Sequence, residues 1–206
     1  MSQYLQIHPK NPQPRLIRQA AEVVRQGGVI VYPTDSSYAI GCGLGEKNAV
    51  ERIRRLRQLD AKHNFTLACS DLSQLGLVAK VDTYAFRLLK AHTPGPYTFI
   101  LNATREVPHM LMHPKRRTIG LRVPAHPIAQ ALLAELGQPL ISASLILPGQ
   151  SLPLSDPEEI NLPEVDLVVD GGIGGQEAST VVDLCGDMPE VLRVGCGDPA
   201  LFEVAD

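Results

Sequence analysis

Residues 27–38 read Gly-Gly-Val-Ile-Val-Tyr-Pro-Thr-Asp-Ser-Ser-Tyr, and this stretch decides the fold class. The two glycines end a preceding helix, and the unbroken apolar run at 29–32 is typical of a strand buried on both faces. A hydroxyl-rich segment follows at the carboxyl end of that strand. Because ligands in open α/β sheets bind at this end, the segment predicts a polar site there. The alternative for Thr34, Asp35 and Ser36 is an ordinary capped turn, since turns use the same residue types.

Outward from this stretch, predicted helices and strands alternate through two thirds of the chain, and strands dominate the last third. Asn11, Asn48 and Asp82 are the expected N-caps of three helices. A fourth helix runs from Pro127 to Leu136 and ends at Gly137. The predicted strands are 29–32, 65–69, 97–101, 118–123, 140–145, 165–169, 181–184 and 191–194. The pattern predicts an α/β fold with a mixed sheet. No strand is predicted over 38–45, where the glycines at 41, 43 and 45 form a weak candidate phosphate cradle.

Composition excludes several classes of protein. The chain has 206 residues with 44% hydrophobic residues, which predicts one domain over 1–206. A net charge of −3 excludes a uniformly basic coat for nucleic acid, and 4% aromatics without tryptophan argues against an aromatic groove for single strands. The four cysteines have no zinc spacing, so we expect reduced thiols, no bound metal and a cytoplasmic location. The uncharged stretch at 136–155 is broken by prolines, so no membrane segment is expected.

Two clusters of basic residues stand out. Arg52, Arg54, Arg55 and Arg57 lie on one predicted helix, and they form either a solvated helix face or a phosphate-binding surface. Lys115-Arg116-Arg117 reads as an exposed loop.

Single polar residues inside apolar strands are further candidates. Arg122 follows an apolar strand segment, and such an arginine is usually paired or binds an anion. Ser142 and Ser144 share one strand face, which is either a ligand site or an ordinary polar face. Ser179 precedes a strand, and Arg193 lies on the strand after it.

Six motifs in chain order resemble the YrdC/YciO family. They are residues 32–38 with Gly41, 57–65, 94–99, 121–127, 139–144, and 179–183 with Leu192-Arg193. The resemblance covers about 15–195. It implies a YrdC-like twisted open mixed sheet, with helices around a large concave basic cavity.

The resemblance also implies an activity. The best-understood family members make L-threonylcarbamoyladenylate and pyrophosphate from threonine, bicarbonate and ATP, and the product serves tRNA modification. Mg²⁺ would arrive with ATP, no protein-bound metal is expected, and no side chain is assigned as a catalytic nucleophile. Carried over to this sequence, Thr34 and Tyr38 would shape the threonine pocket and Arg122 would hold a carboxylate. The residues implied at the phosphates and the nucleotide are Arg57, His63, Ser142, Ser144, Ser179 and Arg193.

Double-stranded RNA or tRNA is the second implied partner. Its expected contacts are Arg52, Arg54, Arg55, Lys115, Arg116 and Arg117, since RNA affinity needs a local basic patch. The resemblance thus implies an RNA- and nucleotide-binding protein of tRNA metabolism, with weakened synthase activity as one expectation. Two alternatives remain open at this point, a non-catalytic double-stranded RNA- or tRNA-binding module and an ATP-dependent ligase with another substrate.

The sequence departs from the synthase motifs at two positions that would contact ATP. Leu59 replaces the second cation of the family's basic-x-Arg pair, and Ser144 replaces an asparagine. A lost charged contact is worth about 1.5–3 kcal/mol and a lost neutral one about 1 kcal/mol. The sequence therefore predicts weakened ATP handling, which Leu59→Arg and Ser144→Asn together would restore if both side chains face the cavity.

Overall fold

A twisted mixed β-sheet runs through the part of the chain that the structure describes, residues 2–59 and 65–202 of a computed structural model. Within these ranges the sheet has ten strands, in the order β1-β8-β2-β3-β7-β4-β6-β5-β9-β10. The strands are β1 Gln3–Gln6, β2 Ile30–Pro33, β3 Tyr38–Gly43, β4 Thr66–Ala68, β5 Tyr97–Asn102, β6 Thr118–Arg122, β7 Leu140–Ser144, β8 Leu167–Asp170, β9 Thr180–Asp183 and β10 Glu190–Arg193. Four of the nine neighbouring pairs are parallel and five are antiparallel, so the α/β fold with a mixed sheet is confirmed.

Five α-helices of the described ranges pack on the two faces of this sheet. They are α1 Pro14–Arg25, α2 Lys47–Arg57, α3 Leu72–Val78, α4 Thr83–His92 and α5 Pro127–Leu136. None of the helices in residues 2–59 and 65–202 is long and apolar enough to cross a membrane.

The two sheet faces are covered unequally. The larger core cluster joins α2, α3 and α4 to alternate residues of most strands, such as Leu67, Phe99 and Leu121. On the opposite face α1 and α5 cover Tyr32 and Leu140, together with strand residues at that end of the sheet only. Because successive side chains of a strand point to opposite faces, the remaining strand residues on this second face stay uncovered by helices. They form a cavity.

Helix boundaries follow the local signals where those signals are strong. Asp82 caps α4 by accepting a hydrogen bond from the Ala85 amide at 2.8 Å. Helix α5 ends at Gly137, whose φ of 67° is the left-handed conformation that favours glycine. Two expected N-caps are wrong, because α1 begins after Gln13 and α2 begins after Glu46.

Strand β3 was not predicted from the sequence. Its residues 38–43 are all buried between β2 and β7, at the centre of the sheet. Small residues such as Ala39 and Gly41 have low strand propensity, so burial in the sheet and not local preference makes this segment a strand. The short edge strand β1 and the seven-residue helix α3 were also missed.

Candidate functional site

The cavity on the uncovered sheet face has a volume of about 220 Å³ and a polar lining. Strands β3 to β7 and β9 supply its floor, and each contributes the side chains that alternate with its core residues. Hydroxyl groups dominate, and three arginines reach in from different elements. The hydroxyl-bearing residues are Ser37, Thr66, Thr98, Thr118, Ser142, Ser144 and Ser179.

The structure brings together most of the residues predicted to bind a small molecule. Those that line the cavity are Arg57, Arg122, Ser142, Ser144, Ser179 and Arg193. They come from α2, β6, β7, β10 and the segment before β9, so the fold and not the sequence makes them neighbours. His63 lies outside the described residues.

Two predicted residues do not line the cavity. Thr34 Oγ1 donates to the Ser37 carbonyl at 2.6 Å and so closes the turn between β2 and β3. Tyr38 packs within the core on the opposite sheet face. Its hydroxyl donates to the Gly172 carbonyl at 2.7 Å and accepts from the Gly171 amide at 3.0 Å. Both side chains therefore hold neighbouring backbone segments in place, Thr34 in the turn before β3 and Tyr38 at residues 171–172.

Arg122 forms an ion pair with Asp35 at the cavity. The two side chains are only 10% and 14% exposed, so the pair is largely removed from water. One donor and one acceptor remain unused, because Arg122 Nε and Asp35 Oδ2 are buried without a hydrogen-bond partner among the described residues. A buried polar atom without a partner costs about 1–3 kcal/mol, so a ligand that satisfies both atoms would be strongly favoured.

Arg193 reaches the cavity because β10 carries a bulge. The register between β9 and β10 shifts between Val191 and Arg193, and such bulges redirect side chains. Its Nη2 donates to the Ser179 carbonyl at 2.8 Å, and Ser179 Oγ lies 2.7 Å from Thr98 Oγ1. Burial first, and the nearby Arg122 charge second, lower the pKa of Arg193. Burial also lowers the pKa of Arg57, which donates to the Ile146 carbonyl at 3.0 Å. An anion in the cavity would relieve the burial cost of both arginines.

Sequence comparison places the chain among known proteins. The family model for Sua5, YciO and YrdC proteins, described as telomere recombination, matches residues 22–195. The chain belongs to the Sua5/YciO/YrdC family. It is 59% identical to the uncharacterized protein YciO of Escherichia coli K12 over 205 residues, which cover 98% of this chain and 100% of that protein. The crystal structure of E. coli YciO matches with a TM-score of 0.95 at 58% identity, covering 98% of this chain and 100% of that one.

More distant family members carry functional names. A threonylcarbamoyl-AMP synthase of Coxiella burnetii (strain RSA 493 / Nine Mile phase I) is 32% identical over 170 residues, which cover 81% of this chain and 90% of the synthase. The crystal structure of P. abyssi Sua5 complexed with L-threonine matches with a TM-score of 0.85 at 29% identity. That match covers 93% of this chain and 57% of the Sua5 chain. The family is thus related to threonylcarbamoyl-AMP synthases, and the predicted fold and family are confirmed.

Leu59, which the resemblance implies replaces a cation of the synthases, does not line the cavity. It packs partly buried against the core, and its amide donates to the Arg54 carbonyl at 2.9 Å. An arginine at position 59 would therefore not face the cavity, which was the condition for restoring the missing cation. Ser144, the second departure, does line the cavity.

The predicted RNA-binding residues lie in two separate groups, and most are already paired with acids. Arg52 pairs with Asp166 at 2.9 Å, and Arg55 pairs with Glu164 at 3.5 Å. Arg54 pairs with Glu51 at 3.6 Å. In the second group, Arg116 pairs with Asp183, while Lys115 and Arg117 are exposed without an ion pair among the described residues.

Sequence reasoning missed part of the cavity lining. The ion pair of the lining residue Arg122 was also missed, because its partner Asp35 is 87 residues away in the chain. Thr66 and Thr98 each lie between buried apolar neighbours, and that alternation was the available signal.

Proposed function

We propose that the cavity binds ATP together with an amino acid and forms an acyl adenylate, with L-threonylcarbamoyl-AMP as the product. The observation that carries this proposal is the Arg122–Asp35 pair, in which Nε and Oδ2 have no hydrogen-bond partner among the described residues and Arg122 lines a cavity rich in hydroxyls. The first is a donor for a carboxylate or carbamate, and the second is an acceptor for an ammonium or hydroxyl group. An α-amino acid offers both groups on neighbouring atoms.

The reaction needs no protein nucleophile. The threonine amine adds to CO2 derived from bicarbonate and loses a proton to water, which gives a carbamate. A carbamate oxygen then attacks the α-phosphorus of ATP while the bond to the bridging oxygen breaks, and pyrophosphate leaves. Catalysis of this kind depends on positioning and on neutralising phosphate charge. Arg57 and Arg193 would neutralise charge, and Ser142, Ser144 and Ser179 would orient the nucleotide.

Magnesium would enter with ATP. The cavity lining holds hydroxyls and guanidinium groups but no carboxylate, and Mg²⁺ prefers carboxylate and phosphate oxygens. No cluster of three or more His, Cys, Asp or Glu side chains suited to a metal occurs in the described part of the chain. We therefore propose that the ATP phosphates, and not the described residues, would supply the Mg²⁺ ligands.

The test of the proposed function is an assay of the purified protein with ATP, bicarbonate and varied amino acids. We expect pyrophosphate release and formation of an AMP ester with L-threonine, absent when bicarbonate is removed. An adenylate formed with a different amine or carboxylate would favour the ligase alternative. Neither ATP binding nor product formation would leave the non-catalytic module as the better explanation.

Replacing Ser144 by asparagine is expected to raise ATP-dependent activity by about fivefold, because the amide adds a donor worth about 1 kcal/mol at the nucleotide. The gain should appear as a lower KM for ATP. Ser144→Ala, the matched control, should lower the activity instead. Adding Leu59→Arg should bring no further gain, because Leu59 packs against the core. A larger gain from the double variant would contradict this placement.

RNA is proposed as a second partner, in a cytoplasmic protein, supported by the position of Lys115 and Arg117. Both are exposed and lie within three residues of Thr118, the first residue of β6 and part of the cavity lining. The free cysteines are consistent with a reducing compartment.

Affinity for double-stranded RNA or tRNA should fall as the salt concentration rises. The fall should be less steep than if all six predicted RNA-binding cations were free to contact phosphates. Each neutralised phosphate contributes roughly 0.7–0.9 log units of affinity per log unit of salt. With Arg52, Arg54, Arg55 and Arg116 paired with acids, Lys115 and Arg117 remain, and we expect a slope of about −2 instead of about −5. Filter binding at several salt concentrations measures this slope. Lys115→Ala should make the slope shallower by the contribution of about one phosphate. Affinity independent of salt would count against an RNA site here.

A further inference from the structure

The side chain of Tyr32 reaches from the covered part of the sheet to the cavity floor. Tyr32 lies on β2 and is fully buried, packed in the core beneath α1 and α5. Its hydroxyl lies 2.8 Å from Ser142 Oγ on β7. Strand β3 lies between these two strands, so the ring must cross it.

Two small residues of β3 make this crossing possible. Tyr32 pairs directly with Ala39, and Gly41 pairs with Ser142. A Cβ atom at Gly41 would lie 3.2 Å from Tyr32 Cε1 and 2.5 Å from the Ile141 carbonyl oxygen. Gly41 is thus required by the close approach of the tyrosine ring and the next strand, and not by a phosphate group as the glycine-rich pattern suggested.

Burial determines which hydroxyl donates in the Tyr32–Ser142 hydrogen bond. The Tyr32 hydroxyl has no other partner among the described residues, while Ser142 borders the cavity. If Ser142 donated, the tyrosine proton would remain without an acceptor in the core, which is unfavourable. Burial also raises the pKa of Tyr32 to about 12, so the phenol keeps its proton at neutral pH. The tyrosine therefore donates, and the Ser142 proton is left for the cavity.

We propose that Tyr32 is a positioning residue that holds Ser142 as a hydrogen-bond donor to an acceptor oxygen of ATP in the cavity. This inference rests on the proposed function, because it takes the nucleotide as the occupant. Tyr32 would act on the ligand only through Ser142. The same arrangement explains why position 41 is a glycine, since a larger residue would crowd the tyrosine ring. Without the tyrosine, the serine hydroxyl would rotate among several acceptors and lose orientation.

A double-mutant cycle on ATP binding tests this role. The variants are Tyr32→Phe, Ser142→Ala and both together, with calorimetric titration of ATP in excess Mg²⁺ as the measurement. Tyr32→Phe should weaken ATP binding about three- to tenfold, the usual effect of one neutral hydrogen bond. In the Ser142→Ala background the same change should have no effect, since Tyr32 acts through Ser142. A general effect on packing would instead weaken binding equally in both backgrounds.

Tyr97→Phe is the matched control. Tyr97 is a buried tyrosine of β5 on the other face, and its hydroxyl makes only a 3.4 Å contact with the Asp198 carbonyl. It should leave ATP affinity unchanged. ATP binding by Tyr32→Phe equal to that of the unmodified protein, or equal losses in both backgrounds, would overturn the role of Tyr32 while leaving the proposed function standing. An unmodified protein that binds no ATP would overturn the proposed function, and this role with it.

Discussion

Arg122→Ala is expected to abolish ATP-dependent product formation and to lower the free energy of unfolding by about 3–5 kcal/mol. The stability loss follows because the Asp35 carboxylate, only 14% exposed, would be left without its cation. The activity loss follows because the cavity loses the Arg122 guanidinium that would hold the carboxylate. Urea unfolding and pyrophosphate release, measured on the same preparation, give the two quantities.

The double variant Asp35→Ala with Arg122→Ala separates these two effects. Removing both partners leaves no buried unpaired charge, so most of the lost stability should return. The activity should stay absent, because the donor is still missing. A double variant that regains activity along with stability would show that Arg122 matters only for folding.

Gly195→Ala is expected to detach the segment that carries Arg193. A Cβ atom at Gly195 would lie 2.1 Å from the Ala178 carbonyl oxygen, which is backbone and cannot move aside freely. The Gly195 amide donates to Thr180 Oγ1 at 2.9 Å, so the displacement would also break the contact with β9. We expect a destabilisation of about 1–3 kcal/mol or more from overpacking. Loss of the Arg193 charge from the nucleotide should cost about tenfold or more in ATP affinity.

Gly76→Ala provides the comparison for this glycine. A Cβ atom at Gly76 has nothing within 4 Å, and the residue lies inside helix α3. Alanine there should leave ATP affinity unchanged and stabilise the protein by about 0.5–1 kcal/mol. Equal ATP affinity in Gly195→Ala and Gly76→Ala would mean that Arg193 does not depend on this segment.

The elements predicted best from the sequence are those whose signals are local. The sequence predicts both ends of helix α5 correctly, because Pro127 favours the first helical position and Gly137 ends the helix through local backbone geometry. Strand β3 was missed because its stability comes from β2 and β7, which lie on either side of it in space. Central strands need less propensity of their own when both neighbours hydrogen-bond to them.

The candidate site shows the same limit. Alternation along β7 predicted that Ser142 and Ser144 share a face, and they do line one cavity. The resemblance implied that Tyr38 shapes the threonine pocket, and in the structure its side chain packs in the core after the turn closed by Thr34. A one-residue difference in register decides between the two faces, and the sequence contains no local signal for it.

The alternation of core and cavity residues along the same strands has a consequence for how this family can diversify. Thr98 and Ile100 line the cavity while Phe99, between them, packs in the core. Sites built from loops can change by insertion or deletion, because loops tolerate length changes. Here a one-residue insertion in a strand of the cavity floor would move the following core side chains to the cavity face and the cavity side chains to the core face. At the strand-built floor, new specificity must therefore arise by substitution of side chains on an unchanged backbone, while Arg57 and Ile146 contribute to the lining from outside the strands.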